Sequence, residues 1–215
     1  MKPFPLSPTA MIFDLDGTLL DTEPLYTQAT QKVLDPHGHT YTLALKRKVM
    51  GGDSTRSAQI TIDEFDLPMS AAQFLEQRET YLTKLFPASE EIQGAGAYLH
   101  FLARQGIPTG LATSSHQHLC DLKISHRSWS NLLHTIVCGD DQELHQSKPE
   151  PDIFLLCAKR MDADPASTIA FEDSRNGVLA AKAAGMFVVA LEGPYTIAED
   201  LKEADLRISD YRALL

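Results

Sequence analysis

In Phe13-Asp14-Leu15-Asp16-Gly17-Thr18-Leu19-Leu20, two carboxylates follow directly on an apolar run. Residues 10–13 (AMIF) are apolar and are bounded by turn-forming residues, which predicts a short buried strand. Asp14 would then lie at the carboxyl end of this strand, where ligands bind in parallel α/β sheets. Gly17 lets the chain turn sharply behind the carboxylates, because glycine carries no Cβ.

The spacing of Asp14 and Asp16 allows a division of chemical roles. One carboxylate can be a nucleophile or a ligand for a hard cation. The other can bind and release a proton, because two like charges close together raise one pKa of the pair. The pair could also do no more than cap the following turn. The choice between a catalytic and a capping role therefore depends on the other motifs in the chain.

The composition describes an acidic protein with enough apolar residues for a substantial core. The 215 residues are 43% hydrophobic and carry a net charge of −10, which suits one or two compact domains. This charge argues against a nucleic-acid partner, but a small anionic substrate depends on the local charge of its site. Cys120, Cys138 and Cys157 show no Cys-x-x-Cys spacing and are expected to be reduced.

The first residues are rich in proline and lack the apolar core of a signal peptide. No stretch is long enough to span a bilayer. We therefore expect a cytoplasmic protein with no membrane partner. We also expect a monomer, because no long exposed apolar stripe is evident.

Residues 21–87 show apolar side chains at helical spacing. Asp21-Thr22-Glu23-Pro24 is typical of a helix start. Gly51-Gly52-Asp53 and Leu67-Pro68-Met69-Ser70 are expected to separate successive helices. We predict an all-helical domain over residues 21–87, inserted into a second domain that consists of residues 1–20 and 88–215.

Strands and helices are predicted to alternate from Gly94 onward, which is typical of a doubly wound, Rossmann-like parallel sheet of the α/β class. The later predicted strands are residues 107–112, 135–138, 168–171 and 186–190. The predicted helices between them are residues 117–124, 152–161 and 177–184.

Polar side chains follow the carboxyl ends of these strands, which meet at one edge of such a sheet. In chain order they are Asp14, Asp16, Thr113, Ser114, Lys148, Glu172 and Asp173. The carboxylates would repel one another unless a cation such as Mg²⁺, which prefers oxygen ligands, lay among them. A fixed lysine, and hydroxyl and backbone donors at a helix start, favour an anion. This set predicts a phosphoryl-transfer site.

Each of these motifs also has an interpretation without chemistry. Thr113 and Ser114 could cap a helix, Lys148 could be a surface lysine, and Glu172 and Asp173 could be acids at a helix N-terminus. Their joint occurrence at strand ends favours the catalytic interpretation.

Four motifs resemble those of haloacid dehalogenase superfamily phosphatases with a helical cap inserted after the first motif. They are Asp14-Leu15-Asp16-Gly17-Thr18, Ala112-Thr113-Ser114-Ser115, Lys148-Pro149-Glu150-Pro151-Asp152 and Phe171-Glu172-Asp173-Ser174. The resemblance covers nearly the whole chain and is greatest to the β-phosphoglucomutase-like branch. Within that branch, the sequence is most similar to pseudouridine-5′-phosphate, glycerol-phosphate and 2-deoxyglucose-6-phosphate phosphatases.

The resemblance implies a catalytic role for each motif. Asp14 would attack the phosphorus and become an aspartyl phosphate. Asp16 would protonate the leaving oxygen and then activate water. Thr113 and Ser114 would bind the phosphoryl group, and Lys148 would neutralise it together with the nucleophile.

The resemblance also implies a Mg²⁺ site formed by Asp14, Asp173 and the backbone oxygen of Asp16, with Glu172 in support through water or directly. The dehalogenases that name the superfamily lack the second aspartate. The presence of Asp16 therefore argues for phosphoryl chemistry.

Substrate choice is expected to lie in the helical domain. Glu23, near the hinge, is a candidate contact for the leaving group, and Arg56 is a candidate that could face the site. Related mutases bind a distal phosphate with an arginine that sits closer behind the glycine. A Mg²⁺-dependent phosphatase of a small phosphorylated metabolite is therefore preferred over a sugar-phosphate mutase. A non-enzymatic regulatory protein is the third hypothesis.

Overall fold

The computed structural model describes residue 4, residues 7–49 and residues 54–215. The predicted helix boundary at Gly51-Gly52-Asp53 lies outside these residues. The contacts divide the described chain into two compact units, one made of the residues up to Asp21 together with Glu90–Leu215, the other of Thr22–Ser89. The roles of these units as catalytic core and cap stay predictions.

The first unit is built on a parallel sheet. The strands of the described chain are, in order, β1 (Ala10–Phe13), β2 (Leu20–Asp21), β3 (Glu90–Glu91), β4 (Thr109–Ala112), β5 (Thr135–Val137), β6 (Thr168–Glu172), β7 (Phe187–Leu191) and β8 (Leu206–Ile208). The main sheet has the order β5-β4-β1-β6-β7-β8, and each neighbouring pair is parallel. Helices flank it, so the predicted α/β class with a parallel, Rossmann-like sheet is confirmed.

The helices of the described chain are α1 (Glu23–Leu34), α2 (Leu43–Val49), α3 (Ser54–Phe65), α4 (Ala71–Leu85), α5 (Ala95–Arg104), α6 (Gln117–Ile124), α7 (Asp152–Arg160) and α8 (Arg175–Ala183). Within the part of the chain that the structure describes, none of them is both long and apolar enough to cross a bilayer.

Apolar side chains cover both faces of the sheet, which is why its strands are continuous apolar runs in the sequence. On one face, the rings of Phe13 and Phe171 stack with their centroids 4.5 Å apart. On the other, Ile12 and Ala170 pack in a second buried cluster. The central position of β1, between β4 and β6, delivers its carboxyl end to the middle of the sheet edge.

Several predicted boundaries move by one or two residues. β4 begins at Thr109 and not at Ile107, because Pro108 has no N–H to donate to the ladder. α8 begins at Arg175, two residues earlier than predicted, because the Ser174 side chain caps it by accepting from Gly177 N–H at 3.0 Å.

Two features of the first unit were not predicted. β8 is a three-residue edge strand, which is too short to show a period. β2 and β3 pair in antiparallel fashion where the chain leaves and re-enters this unit.

The second unit is all-helical, as the spacing of its apolar residues predicts. Its core is formed by residues such as Val33, Ile62 and Phe74. The predicted break at Leu67-Pro68-Met69-Ser70 is confirmed, because Ser70 starts α4 with a capping box to Gln73.

Candidate active site

Asp14 continues the line of β1 into the sheet edge. Its N–H donates to the Phe171 carbonyl at 2.9 Å, which extends the parallel ladder by one residue. The side chain is only 9% exposed, and its Oδ1 lies 2.7 Å from Lys148 Nζ. The predicted nucleophile and the predicted lysine are therefore in direct contact although 134 residues separate them in the sequence.

Lys148 is held by three acceptors that belong to three strand ends. Its Nζ donates to Asp14 Oδ1 at 2.7 Å, to Glu172 Oε1 at 2.6 Å and to the Ala112 carbonyl at 3.1 Å. Burial lowers the pKa of Lys148, but the carboxylates of Asp14 and Glu172 raise it by more. The net result is a pKa above the usual value for lysine. The side chain is thus a fixed positive charge, and the surface-lysine interpretation does not hold.

Glu172 is buried and has both carboxylate oxygens engaged. Oε1 accepts from Lys148, while Oε2 accepts from Asp173 N–H at 3.0 Å, from Ser174 N–H at 3.2 Å and from Ser174 Oγ at 3.0 Å. A Cβ on Gly177 would collide with this carboxylate. Glu172 is therefore arranged to orient Lys148 and the turn that carries Asp173.

A set of carboxylates suited to a hard cation lies beside Lys148. One carboxylate oxygen from each of Asp14, Glu172 and Asp173 lies within 4.8 Å of the others. Gly17, at φ +82°, runs so close to Asp173 that a Cβ there would overlap the carboxylate. The glycine therefore lets the Asp173 carboxylate lie directly against the turn. Clustered carboxylate oxygens of this kind are the ligands that Mg²⁺ prefers.

The local charge balance acts on Asp14 in opposite directions. Burial raises the pKa of Asp14 to about 7, with Lys148 acting to lower it and Glu172 to raise it. A further positive charge beside this carboxylate would favour its ionised form. The chemistry of the cluster is therefore consistent with a bound cation.

Asp16 points to a different set of partners. Its Oδ2 accepts from Ser115 Oγ at 2.8 Å, and both of its carboxylate oxygens lie 2.7 Å from Lys123 Nζ. The sequence interpretation missed Lys123. The available signal was its place on the face of α6 that also carries Cys120 and Ile124, since a charge on an apolar face is unusual.

Thr113 and Ser114 follow β4, as expected. Thr113 is buried, its N–H donates to the Val137 carbonyl at 3.0 Å, and its Oγ1 accepts from Ser115 N–H at 3.1 Å. Ser114 is exposed. The capping interpretation of Thr113 and Ser114 is wrong, because the N-cap residue of α6 is His116, whose side chain makes no capping hydrogen bond.

Glu23 and Arg56 belong to the helical unit. The Glu23 carboxylate pairs with the buried Lys46 at 3.1 Å, so it has a local partner that the sequence did not suggest. Arg56 is exposed on α3. Their contacts with a substrate stay predictions.

Comparisons with known proteins give a family match and several similar relatives. A family model described as haloacid dehalogenase-like hydrolase matches residues 11–191. The mitochondrial (DL)-glycerol-3-phosphatase 1 of Arabidopsis thaliana is 41% identical over 187 residues, which are 84% of this chain and 63% of that protein. The "Probable pseudouridine-5′-phosphatase" of Drosophila melanogaster is 40% identical over 190 residues, covering 86% and 82% respectively.

A solved structure shows the same fold. The β-phosphoglucomutase of Clostridium difficile superposes with a TM-score of 0.78 at 23% identity, over 97% of this chain and 93% of that one. At this identity the likeness carries the fold alone.

Proposed function

Because the chain belongs to the haloacid dehalogenase-like hydrolase family, we propose that it hydrolyses a small phosphate monoester through an aspartyl phosphate on Asp14. The observation that carries the proposal is the buried contact of Lys148 with both Asp14 and Glu172 at the strand ends, beside Asp173. An ammonium fixed against a carboxylate at such an edge is suited to hold a dianionic phosphoryl group next to a nucleophile.

The first half-reaction transfers the phosphoryl group to the protein. An Asp14 carboxylate oxygen forms a bond to phosphorus while the bond from phosphorus to the ester oxygen breaks. Asp16 gives its proton to that leaving oxygen, so that an alcohol departs. Lys148 and the donors of the Thr113 turn offset the negative charge of the transferring group.

The second half-reaction releases phosphate. Asp16, now ionised, takes a proton from a water molecule whose oxygen forms a bond to phosphorus. The bond between phosphorus and the Asp14 oxygen breaks, which restores both carboxyl groups to their starting states. One residue thus serves as acid and then as base.

We assign the Mg²⁺ site to Asp14, Asp173 and the backbone oxygen of Asp16. When bound, the ion would supply positive charge for the phosphoryl oxygens and for the clustered carboxylates. Glu172, whose oxygens already accept hydrogen bonds from protein donors, supports this site by holding Lys148 and the Asp173 turn.

The proposed substrates are polyol, nucleoside and sugar phosphates, since relatives are named for glycerol 3-phosphate, pseudouridine 5′-phosphate and phosphorylated carbohydrates. These are small metabolites, and neither nucleic acid nor a membrane is a proposed partner. The cytoplasmic location stays a prediction from the cysteines, all three of which are free and buried. The monomeric state also stays a prediction.

A screen of phosphate release tests this proposal. The wild-type protein is incubated with glycerol, sugar and nucleoside monophosphates, with Mg²⁺ or after treatment with EDTA. We expect phosphate release that EDTA abolishes and that added Mg²⁺ restores. The clustered carboxylates would repel an anionic phosphate ester unless a bound cation offset their charge. Full activity in EDTA would refute the metal dependence.

The same screen separates the other two hypotheses. A sugar-phosphate mutase would give an isomerised sugar phosphate in place of free phosphate. A non-enzymatic regulatory protein would release no phosphate from any ester while still binding Mg²⁺. We expect free phosphate and no isomer.

A further inference from the structure

Lys123 is a charged side chain with no exposed surface, on the last turn of α6. Its Nζ lies 2.7 Å from each carboxylate oxygen of Asp16 and 2.8 Å from Ser115 Oγ. These acceptors suit the three donors of an ammonium group. The proposed reaction, as described above, gives this lysine no role.

Packing alone does not account for a lysine at this position. Its neighbours on the buried face of α6 are Cys120 and Ile124, which are a small thiol and a hydrocarbon. Burying an ammonium group is unfavourable unless a carboxylate compensates for the lost hydration, and Asp16 is that carboxylate. A leucine or methionine would fill the space without this cost.

The contact restricts the rotation of the Asp16 carboxylate. Asp16 follows β1 in a turn, and its side chain is 25% exposed. Lys123 engages both of its oxygens, and Ser115 Oγ donates to Oδ2 at 2.8 Å. Two residues from the segment after β4 therefore set the orientation of the Asp16 carboxyl group.

The two aspartates of the opening segment are divided between two lysines. Asp14 contacts Lys148, and Asp16 contacts Lys123, each at 2.7 Å. The division separates the roles of two carboxylates that stand only two positions apart. Lys148 neutralises the proposed nucleophile, and Lys123 contacts the proposed acid.

We infer that Lys123 is a positioning residue, which holds the Asp16 carboxyl group in the orientation for proton transfer to the leaving oxygen. The inference rests on the proposed function. The contacts of the Lys123 ammonium group with both Oδ1 and Oδ2 restrict the rotation of the carboxyl group, so that the group keeps one direction toward the strand-end site. Ser115 supports the same orientation through its hydroxyl group.

The test compares a leaving group that needs a proton with one that does not. The first substrate is glycerol 3-phosphate, or another alkyl phosphate that the release screen identifies. Its leaving group departs as an alkoxide unless the ester oxygen is protonated. The 4-nitrophenolate ion leaves without a proton. The kcat/KM value reports the steps up to the first irreversible one, which is phosphoryl transfer to Asp14.

For Lys123→Met, we expect kcat/KM for the alkyl phosphate to fall about 10- to 100-fold, a part of the 10²–10⁴-fold that general acid–base catalysis supplies. The value for 4-nitrophenyl phosphate should change by less than about threefold, because that step does not use the acid. Asp16→Asn should give the same pattern with a larger loss. Adding Lys123→Met to Asp16→Asn should cost little more, because the lysine acts through the aspartate.

The control is Lys159→Met, which removes an exposed lysine of α7 and should leave both substrates unaffected. Equal losses on both substrates in a folded Lys123→Met protein would overturn the inference and leave Lys123 a structural residue. If that variant does not fold, Ser115→Ala decides, since an unchanged ratio between the two substrates would equally overturn the inference. Failure of the proposed function looks different, because the wild-type protein itself would then release no phosphate from either substrate.

Discussion

Replacement of Asp14 with Asn is expected to abolish phosphate release from every ester that the wild-type protein hydrolyses. The loss in kcat should be at least about 10⁴-fold, which is the scale seen when a hydrolase loses its nucleophile. A carboxamide has nearly the same shape as the carboxylate but is not nucleophilic. Its oxygen can still accept from Lys148, so the fold should persist.

The measurement is phosphate release at saturating substrate, accompanied by thermal unfolding of both proteins. Asp162→Asn is a matched control, because Asp162 is exposed after α7 and adopts a positive φ that asparagine tolerates. It should retain wild-type activity. An Asp14→Asn protein that is folded and fully active would refute the proposed mechanism.

Replacement of Lys148 with Met is expected to reduce both activity and stability. It removes the positive charge between Asp14 and Glu172, whose side chains are 9% and 1% exposed. Removal of one partner from a buried ion pair typically costs about 3–5 kcal/mol of unfolding free energy. The kcat value should fall by about 10²–10³-fold, as it does when one donor to a transition-state oxyanion is lost.

Urea unfolding in the presence of EDTA measures the loss of unfolding free energy. EDTA removes any cation that could replace the missing positive charge. Lys159→Met, at a side chain that is 75% exposed, should change neither quantity. If Lys148→Met kept the wild-type kcat, transfer of the phosphoryl group would not depend on the positive charge of Lys148.

The sheet domain could be predicted because its local and long-range signals coincide. Ala10–Phe13 is buried on both faces, so it appears in the sequence as an unbroken apolar run, and its predicted bounds match β1. The strand-end residues could be grouped because parallel strands deliver their carboxyl ends to one edge. The contact between Asp14 and Lys148 follows from that topology.

Other features could not be predicted for definite physical reasons. The strand Leu206–Ile208 is too short to show a period, and pairing with β7 alone defines it. The apolar face of α6 marks Lys123 as unusual, but its partner Asp16 lies 107 residues away in the sequence and no local pattern identifies it. The pairing of Glu23 with Lys46 likewise arises from helix packing within the second unit.

Trapping the phosphoryl group on the protein tests the central claim most directly. Asp16→Asn, which lacks the base for the second half-reaction, is mixed with 4-nitrophenyl phosphate and Mg²⁺ and quenched in acid. Borohydride then reduces an acyl phosphate to an alcohol, which peptide mass spectrometry locates. We predict homoserine at position 14, formed only after incubation with substrate. Release of nitrophenolate with an unmodified Asp14, or a phosphoryl group on another residue, would contradict the account.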